Sequence, residues 1–175
     1  TPAVPATSPR SPATAQAPKT LRYAFEIAET SMDPAKVFDI YSRTLTPHIF
    51  ESLYKYDHLA RPLKVKPLTA DGPPVHSDDF RTWTVKLRPG IHFADDPAFK
   101  GKKRELTAAD YVYSWKRLLD PKLRAPNIEN MTDRFVGDEA VVAAAKAAGK
   151  LDYDMPFEGV RAVDRYTIQL KLKHP

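Results

Sequence analysis

Glu105–Pro121, ELTAADYVYSWKRLLDP, is the stretch around which the rest of the chain is read. Thr107 suits a helix N-cap, and Asp110, three residues on, is the acidic half of a capping box. Ala108 and Ala109 favour helix, and Tyr111, Val112, Trp115, Leu118 and Leu119 form one apolar stripe on a 3.6-residue period. Lys116 and Arg117 suit the negative pole of the helix dipole, and Pro121 stops further winding. Two aromatic residues on so short a helix require a large surface to bury them. The pattern therefore predicts a helix over 107–119 with much of the chain packed against it.

Working outward, the clearest strand is Thr82–Arg88, TWTVKLR, where Trp83, Val85 and Leu87 alternate with polar residues. Pro89-Gly90 then turns the chain, and Ile91–Phe93 is expected to add a short edge strand. Val160–Val163 and Tyr166–Leu172 read as a hairpin around Asp164-Arg165, with Tyr166, Ile168, Leu170 and Leu172 on one face. Leu21, Tyr23, Phe25 and Ile27 also alternate with polar or small residues and predict a first strand. Asp33-Pro34 can start a helical turn. Val37–Tyr54 reads as helix, restarted at Thr46-Pro47 with Ile49, Phe50, Leu53 and Tyr54 inward. Residues 55–80 are poorly periodic, with short strands at Tyr54–Asp57 and Leu63–Val65. After the connection at 120–137, Asp138 is expected to cap an alanine-rich helix closed by Gly149. The expected architecture is mixed α/β, with a sheet of strands near 21–27, 82–88 and 160–172 covered by the helix at 107–119.

Composition narrows the function. The chain has 175 residues, 42% of them hydrophobic, which is enough for a real core, and no run approaches the roughly 18 apolar residues of a membrane helix. Its 27 cations are interleaved with 22 anions, and only Lys100–Arg104, KGKKR, forms a cluster, read as a solvated loop. The aromatic residues follow the buried period while the cations follow the exposed one, so no nucleic-acid surface is expected. Cysteine is absent, which excludes disulfides and thiolate metal sites. His48, His58, His76, His92 and His174 are scattered without ligand spacing, so neither metal nor cofactor is expected. Asp78-Asp79 and Asp95-Asp96 sit in turns and read as solvated aspartates rather than a hydrolase pair. Nothing here rises to an active site. Residues 1–19 contain five prolines among Ala, Ser and Thr and read as a flexible tether. They hold no apolar signal segment, and the sequence is expected to begin after one was removed.

The order of landmarks carries a resemblance. SMDP (31–34), IFESLY (49–54), TWTVKLRPGIHF (82–93), ELTAADYVYSWKRLLDP (105–121) and GVRAVDRYTIQLKLKHP (159–175) together resemble the N-terminal part of the peptide-binding (family 5) extracellular solute-binding proteins. These are the oligopeptide and dipeptide receptors of ABC importers. Asp95-Asp96-Pro97 opens a longer loop than the family's tight aspartate-glycine turn, and Ser52 replaces a usual glycine. The resemblance implies a type II periplasmic-binding-protein-like fold, with residues 20–175 the N-terminal part of lobe I, its inserted subdomain included, and lobe II absent. It implies a non-enzymatic, monomeric substrate-binding component that captures an oligopeptide or other small solute at the periplasmic or extracellular face and delivers it to ABC permease subunits. A sensor or interaction module built on the same lobe is the alternative, and an enzyme using Asp95 or Asp96 comes third.

The segment Lys36–Ile40 matches a family stretch bordering the ligand, where backbone groups can pair with an extended peptide. Met32, Phe38, Asp39 and Ile40 are therefore the expected ligand-side residues. Asn127 stands where some relatives carry an aromatic touching the ligand, implying a smaller or more polar solute. Tyr111 and Trp115 are expected to anchor the subdomain, leaving their helix away from the ligand.

Overall fold

The computed structural model describes residues 19–175; the tether expected over 1–19 lies, but for Lys19, outside them. The elements are α1 (Ile40–Leu45), β1 (Tyr54–Asp57), β2 (Lys64–Pro67), β3 (Val75–His76), β4 (Thr82–Lys86), α2 (Ala108–Lys116), α3 (Asp138–Ala148), β5 (Val160–Asp164) and β6 (Thr167–Lys171). Four strands form an antiparallel sheet in the order β3-β4-β6-β5, and β1 pairs with β2 as a separate hairpin. Val85 faces Ile168 across β4 and β6, and both are buried.

α2 begins with the expected capping box, in which Asp110 accepts the Thr107 N–H at 2.8 Å. It ends at Lys116, and one 3-10 turn, Arg117–Leu119, carries the chain on to Pro121. The helix lies between two apolar clusters. Ala70, Val85, Leu87, Ala108 and Ile168 form one, against which Tyr111 packs. Leu119, Met131, Val141, Ala145, Leu151, Phe157 and Val160 form the other, against which Val112 and Leu118 pack. Trp115 and Leu170 touch both clusters, so the indole is the seam of the core. Truncating one large side chain at such a seam would open a cavity against both sides at once.

Three expectations are corrected. Residues 21–27 are not a strand: Leu21 is 88% and Tyr23 72% exposed, and no other stretch of the described chain pairs with them. Their aromatic rings pack locally instead, Tyr23 on Phe25 at 5.1 Å and Phe25 on Tyr41 of α1 at 5.5 Å. Alternation specifies which side chains share a face, but a strand also needs a partner for its N–H and C=O groups. The helix expected over 37–54 is cut short at both ends. It starts at Ile40 because Asp39 caps it, and Pro47, which has no N–H to bond back along the helix, confines the next residues to the 3-10 turn Thr46–His48. Ile49 and Phe50 are exposed, while Leu53 and Tyr54 reach the core from the start of β1. Finally, α3 is preceded by Gly137 at φ 83°, and Asp138 is its first residue rather than its cap.

The cations also depart from the exposed pattern. Lys116 is buried, and its ammonium donates to the carbonyls of Tyr153 (2.9 Å) and Met155 (2.7 Å). Burial pushes its pKa below the usual lysine value. Asp78-Asp79 lie in a turn and Asp95-Asp96 in a loop: Asp79 accepts from Ser77 and the Arg81 N–H, Asp96 caps the 3-10 turn Pro97–Phe99 by accepting the Ala98 N–H, and Asp95 pairs with Lys103.

Glu105 closes the end of the sheet. Its carboxylate accepts from Arg165 (2.7 Å), the Gly90 N–H (2.8 Å) and the Tyr166 hydroxyl (2.9 Å). The Arg165 hydrogen bond, then the Gly90 amide and the Tyr166 hydroxyl, lower its pKa from the ordinary 4.5 to about 2. A depressed carboxylate contributes its full stabilisation above its unfolded value and loses it as pH falls through its folded one. Urea unfolding of the wild type should therefore show a larger loss of stability between pH 4.5 and 2 than that of Glu105→Gln. Parallel curves for the two proteins over that window would contradict the role assigned to Glu105.

Candidate functional site

The expected ligand-side residues fall on one loop, Thr30–Ile40, and on the segment after α2. Asp33 starts the expected turn: its carbonyl accepts from Lys36 N–H at 2.8 Å and its Oδ1 from Ala35 N–H at 3.1 Å. Ala35 and Val37 are buried beneath the loop, while Phe38 and Ile40 are each 69% exposed and Met32 is 38% exposed. Three apolar side chains thus stand outward on a loop whose small residues point in.

Asp39 is placed differently from its apolar neighbours. Its Oδ1 accepts the Ser42 N–H at 2.8 Å and its Oδ2 the Ser42 hydroxyl at 2.7 Å, with the Thr30 hydroxyl also bonded to Oδ2. Those donors, the Ser42 amide first, hold its carboxyl far below the ordinary value. The charge of Asp39 serves the start of α1 and the Thr30 side of the loop. Ser42, fully buried, also accepts the Thr30 N–H at 3.1 Å.

Asn127 is brought to this loop across 90 residues, its Nδ2 donating to the Val37 carbonyl at 3.0 Å. One acceptor position of the segment expected to face a peptide is thereby taken from within. A second long-range tie has no counterpart among the sequence expectations. The Arg117 guanidinium grips both carboxylate oxygens of Asp33, at 2.9 and 2.7 Å, across 84 residues. Both side chains are about three-quarters shielded, and the Arg117 hydrogen bond holds the Asp33 carboxyl below its usual value. Asp33 lies in SMDP and Arg117 in SWKRLLDP, so two of the landmark motifs meet in one ion pair. The one signal in the sequence is that pairing of opposite charges within the quoted landmarks.

A cavity of about 350 Å³ lies between α2, β5 and residues 154–158, and another of about 360 Å³ among Pro47–Ser52, Lys55 and Leu68. Neither is lined by Met32, Phe38, Asp39, Ile40 or Asn127. The candidate site is an open surface of apolar side chains on a tethered loop. Among the described residues no group of three or more His, Cys, Asp or Glu could hold a metal ion, and no helix is long and apolar enough to cross a membrane.

Comparison with known proteins places this geometry in a family. The profile of the bacterial extracellular solute-binding proteins, family 5 Middle, matches residues 64–175. The match spans more than half of the chain, and the chain belongs to that family. It is 28% identical over 146 residues to the periplasmic oligopeptide-binding protein OppA of Salmonella typhimurium, covering 83% of this chain and 23% of that protein. It is 30% identical over 147 residues to the periplasmic murein peptide-binding protein MppA of Escherichia coli, covering 83% of this chain and 24% of that one. The structure of Listeria monocytogenes OppA bound to peptide superposes with a TM-score of 0.63 at 28% identity, over 85% of this chain and 26% of that one. The chain thus spans about a quarter of the length of the relatives it matches. Its mixed α/β fold is the corresponding part of an OppA-like structure.

Proposed function

We propose that this chain is the N-terminal part of lobe I, residues 20–175, of the substrate-binding component of an ABC importer. In this reading the protein captures an oligopeptide or peptide-like solute in the periplasm as a monomer and delivers it to permease subunits. The observation that carries the reading is the likeness, over most of the chain, to OppA and MppA, whose names record oligopeptide and murein-peptide binding. The outward apolar loop supports it. Met32, Phe38 and Ile40 offer side-chain contacts on one side of a cleft, a second lobe supplies the other, and Asp39 and Asn127 shape the loop from behind. Closure is then a matter of differential binding: solute touching both lobes stabilises the closed arrangement over the open one.

Calorimetric titration of the full-length protein with pools of di- to pentapeptides tests this. A saturable heat is expected, and Phe38→Ala should weaken it roughly tenfold, about 1.4 kcal/mol, because an exposed phenyl ring that becomes covered loses its contribution on truncation. The same substitution should leave thermal stability unchanged, since Phe38 is largely exposed in this chain. No heat with any pool removes the peptide assignment.

A further inference from the structure

The loop that carries Met32, Phe38 and Ile40 is bonded within itself, through Asp33, Asp39 and Ser42, but little regular structure flanks it. α1 behind it is 6 residues long, short of what stands alone in water, and Leu21–Ile27 before it pair with no strand among the described residues. Yet the loop has a defined course, with Ala35 and Val37 buried and Ser42 fully enclosed. Beside those local bonds, two side chains from far along the sequence tie that course to the rest of the chain. Arg117 approaches Asp33 with both terminal guanidinium nitrogens, Nη1 and Nη2, a fork-on-fork geometry that fixes orientation as well as distance. Asn127 fastens the Val37 carbonyl four residues further on. The two anchors flank the turn at Pro34–Lys36, so the loop is gripped on either side of its bend.

We propose that Arg117 is a positioning residue for the ligand-facing loop, acting through Asp33 in concert with Asn127 at Val37. Arg117 continues from α2, whose Trp115 is packed into both halves of the core. The rigid part of the molecule is thereby wired to a loop that little regular structure flanks. Lysine at 117 would keep the charge but lose the fork, so orientation would slacken while attraction remained. Asn127 gains a role distinct from that of a ligand contact: it donates inward, and a residue without an amide donor there would free the Val37 carbonyl. The functional meaning of the brace rests on the reading of this loop as one wall of the solute cleft.

Amide hydrogen exchange on this chain tests it residue by residue. The reporters are Lys36, whose N–H bonds the Asp33 carbonyl, and Ser42 and Arg43, whose N–H groups bond Asp39. Arg117→Met should speed exchange at these three amides about tenfold or more, with amides of β4 and β6 staying within about twofold of wild type. Arg117→Lys should restore part of the protection, and Asn127→Ala should loosen the same amides without touching Asp33. Wild-type exchange at Lys36 and Arg43 in Arg117→Met overturns the proposal. So does equal acceleration in β4 and β6, which would make Arg117 a general support of the fold. A second arm uses the full-length protein and tetra-alanine: Arg117→Met should weaken binding with Phe38 intact. If wild-type protein ignores tetra-alanine and the peptide pools alike, the solute reading fails while the exchange result still decides the brace.

Discussion

Gly159→Ala should destabilise the chain by about 3 kcal/mol, at the upper end of the usual cost of overpacking. The cause is space, since Gly159 is not among the glycines with positive φ. A Cβ there would sit 2.6 Å from the Phe135 Cβ and 2.8 Å from both the N and O of Val136. None of these atoms lies at the end of a flexible side chain, so relief requires moving backbone. That backbone is committed on both sides: the Gly159 carbonyl accepts the Lys171 N–H at 2.9 Å, and the Val136 N–H bonds the Lys171 carbonyl at 3.0 Å. Gly149 is the natural control. It sits at φ 65° after α3 with nothing near its would-be Cβ, so alanine there meets only left-handed strain, about 1–2 kcal/mol. Urea unfolding of both variants should rank Gly159→Ala clearly below Gly149→Ala, and the reverse order would refute the packing argument.

Asp138→Ala should be the other large loss, about 3 kcal/mol, the lower end of the range for breaking a buried ion pair. Asp138 is almost wholly buried. Its Oδ2 accepts the N–H groups of Arg134 (2.9 Å) and Phe135 (3.1 Å), and its Oδ1 lies 2.6 Å from the Lys173 ammonium. Burial would raise its pKa, but Lys173 and the two amides outweigh it and hold the carboxyl below the ordinary value. Alanine would strand two amide donors and leave Lys173 with Glu139 as its remaining acidic partner. Asp138→Asn, which can still accept from both amides, should recover part of the loss. Lys173→Met should cost less than Asp138→Ala, because the amides still satisfy the carboxylate. Equal losses in all three variants, read by thermal melting at pH 7, would show that the ion pair rather than the amide pair secures α3.

The parts legible in the sequence share one property: the residues that define them lie close together along the chain. Thr107 and Asp110 meet within a turn, and Trp83, Val85 and Leu87 needed only a period of two. The hairpin at β5 and β6 was set by its own turn, where Asp164 accepts the Tyr166 N–H. The misreadings arose where local pattern and distant partner disagreed. Residues 21–27 have the alternation of a strand but, among the described residues, no neighbour to complete it. Lys116 occupies a helix position that suits solvent, but the carbonyls of Tyr153 and Met155, some 37 and 39 residues later, replace its hydration. Asp138 has the chemistry of a cap, but Gly137 at positive φ lets the chain enter α3 one residue earlier. For the candidate site, a landmark motif pointed to the loop but could not show that Phe38 and Ile40 stand out while Asp39 turns to Ser42. The Asp33–Arg117 pair joins two motifs 84 residues apart, a separation no periodicity spans.

That separation also imposes an order in time. A chain emerging from its amino end releases residues 30–42 before their partners, with 84 residues to come after Asp33 before Arg117 meets it and 90 after Val37 before Asn127 can reach it. At roughly 5–20 residues per second, the loop waits several seconds for its anchors. In the interval the loop has its local bonds but neither long-range tie, and the exposed Phe38 and Ile40 are open to a holding chaperone. The loop's own residues are therefore made well before the two side chains that complete its ties.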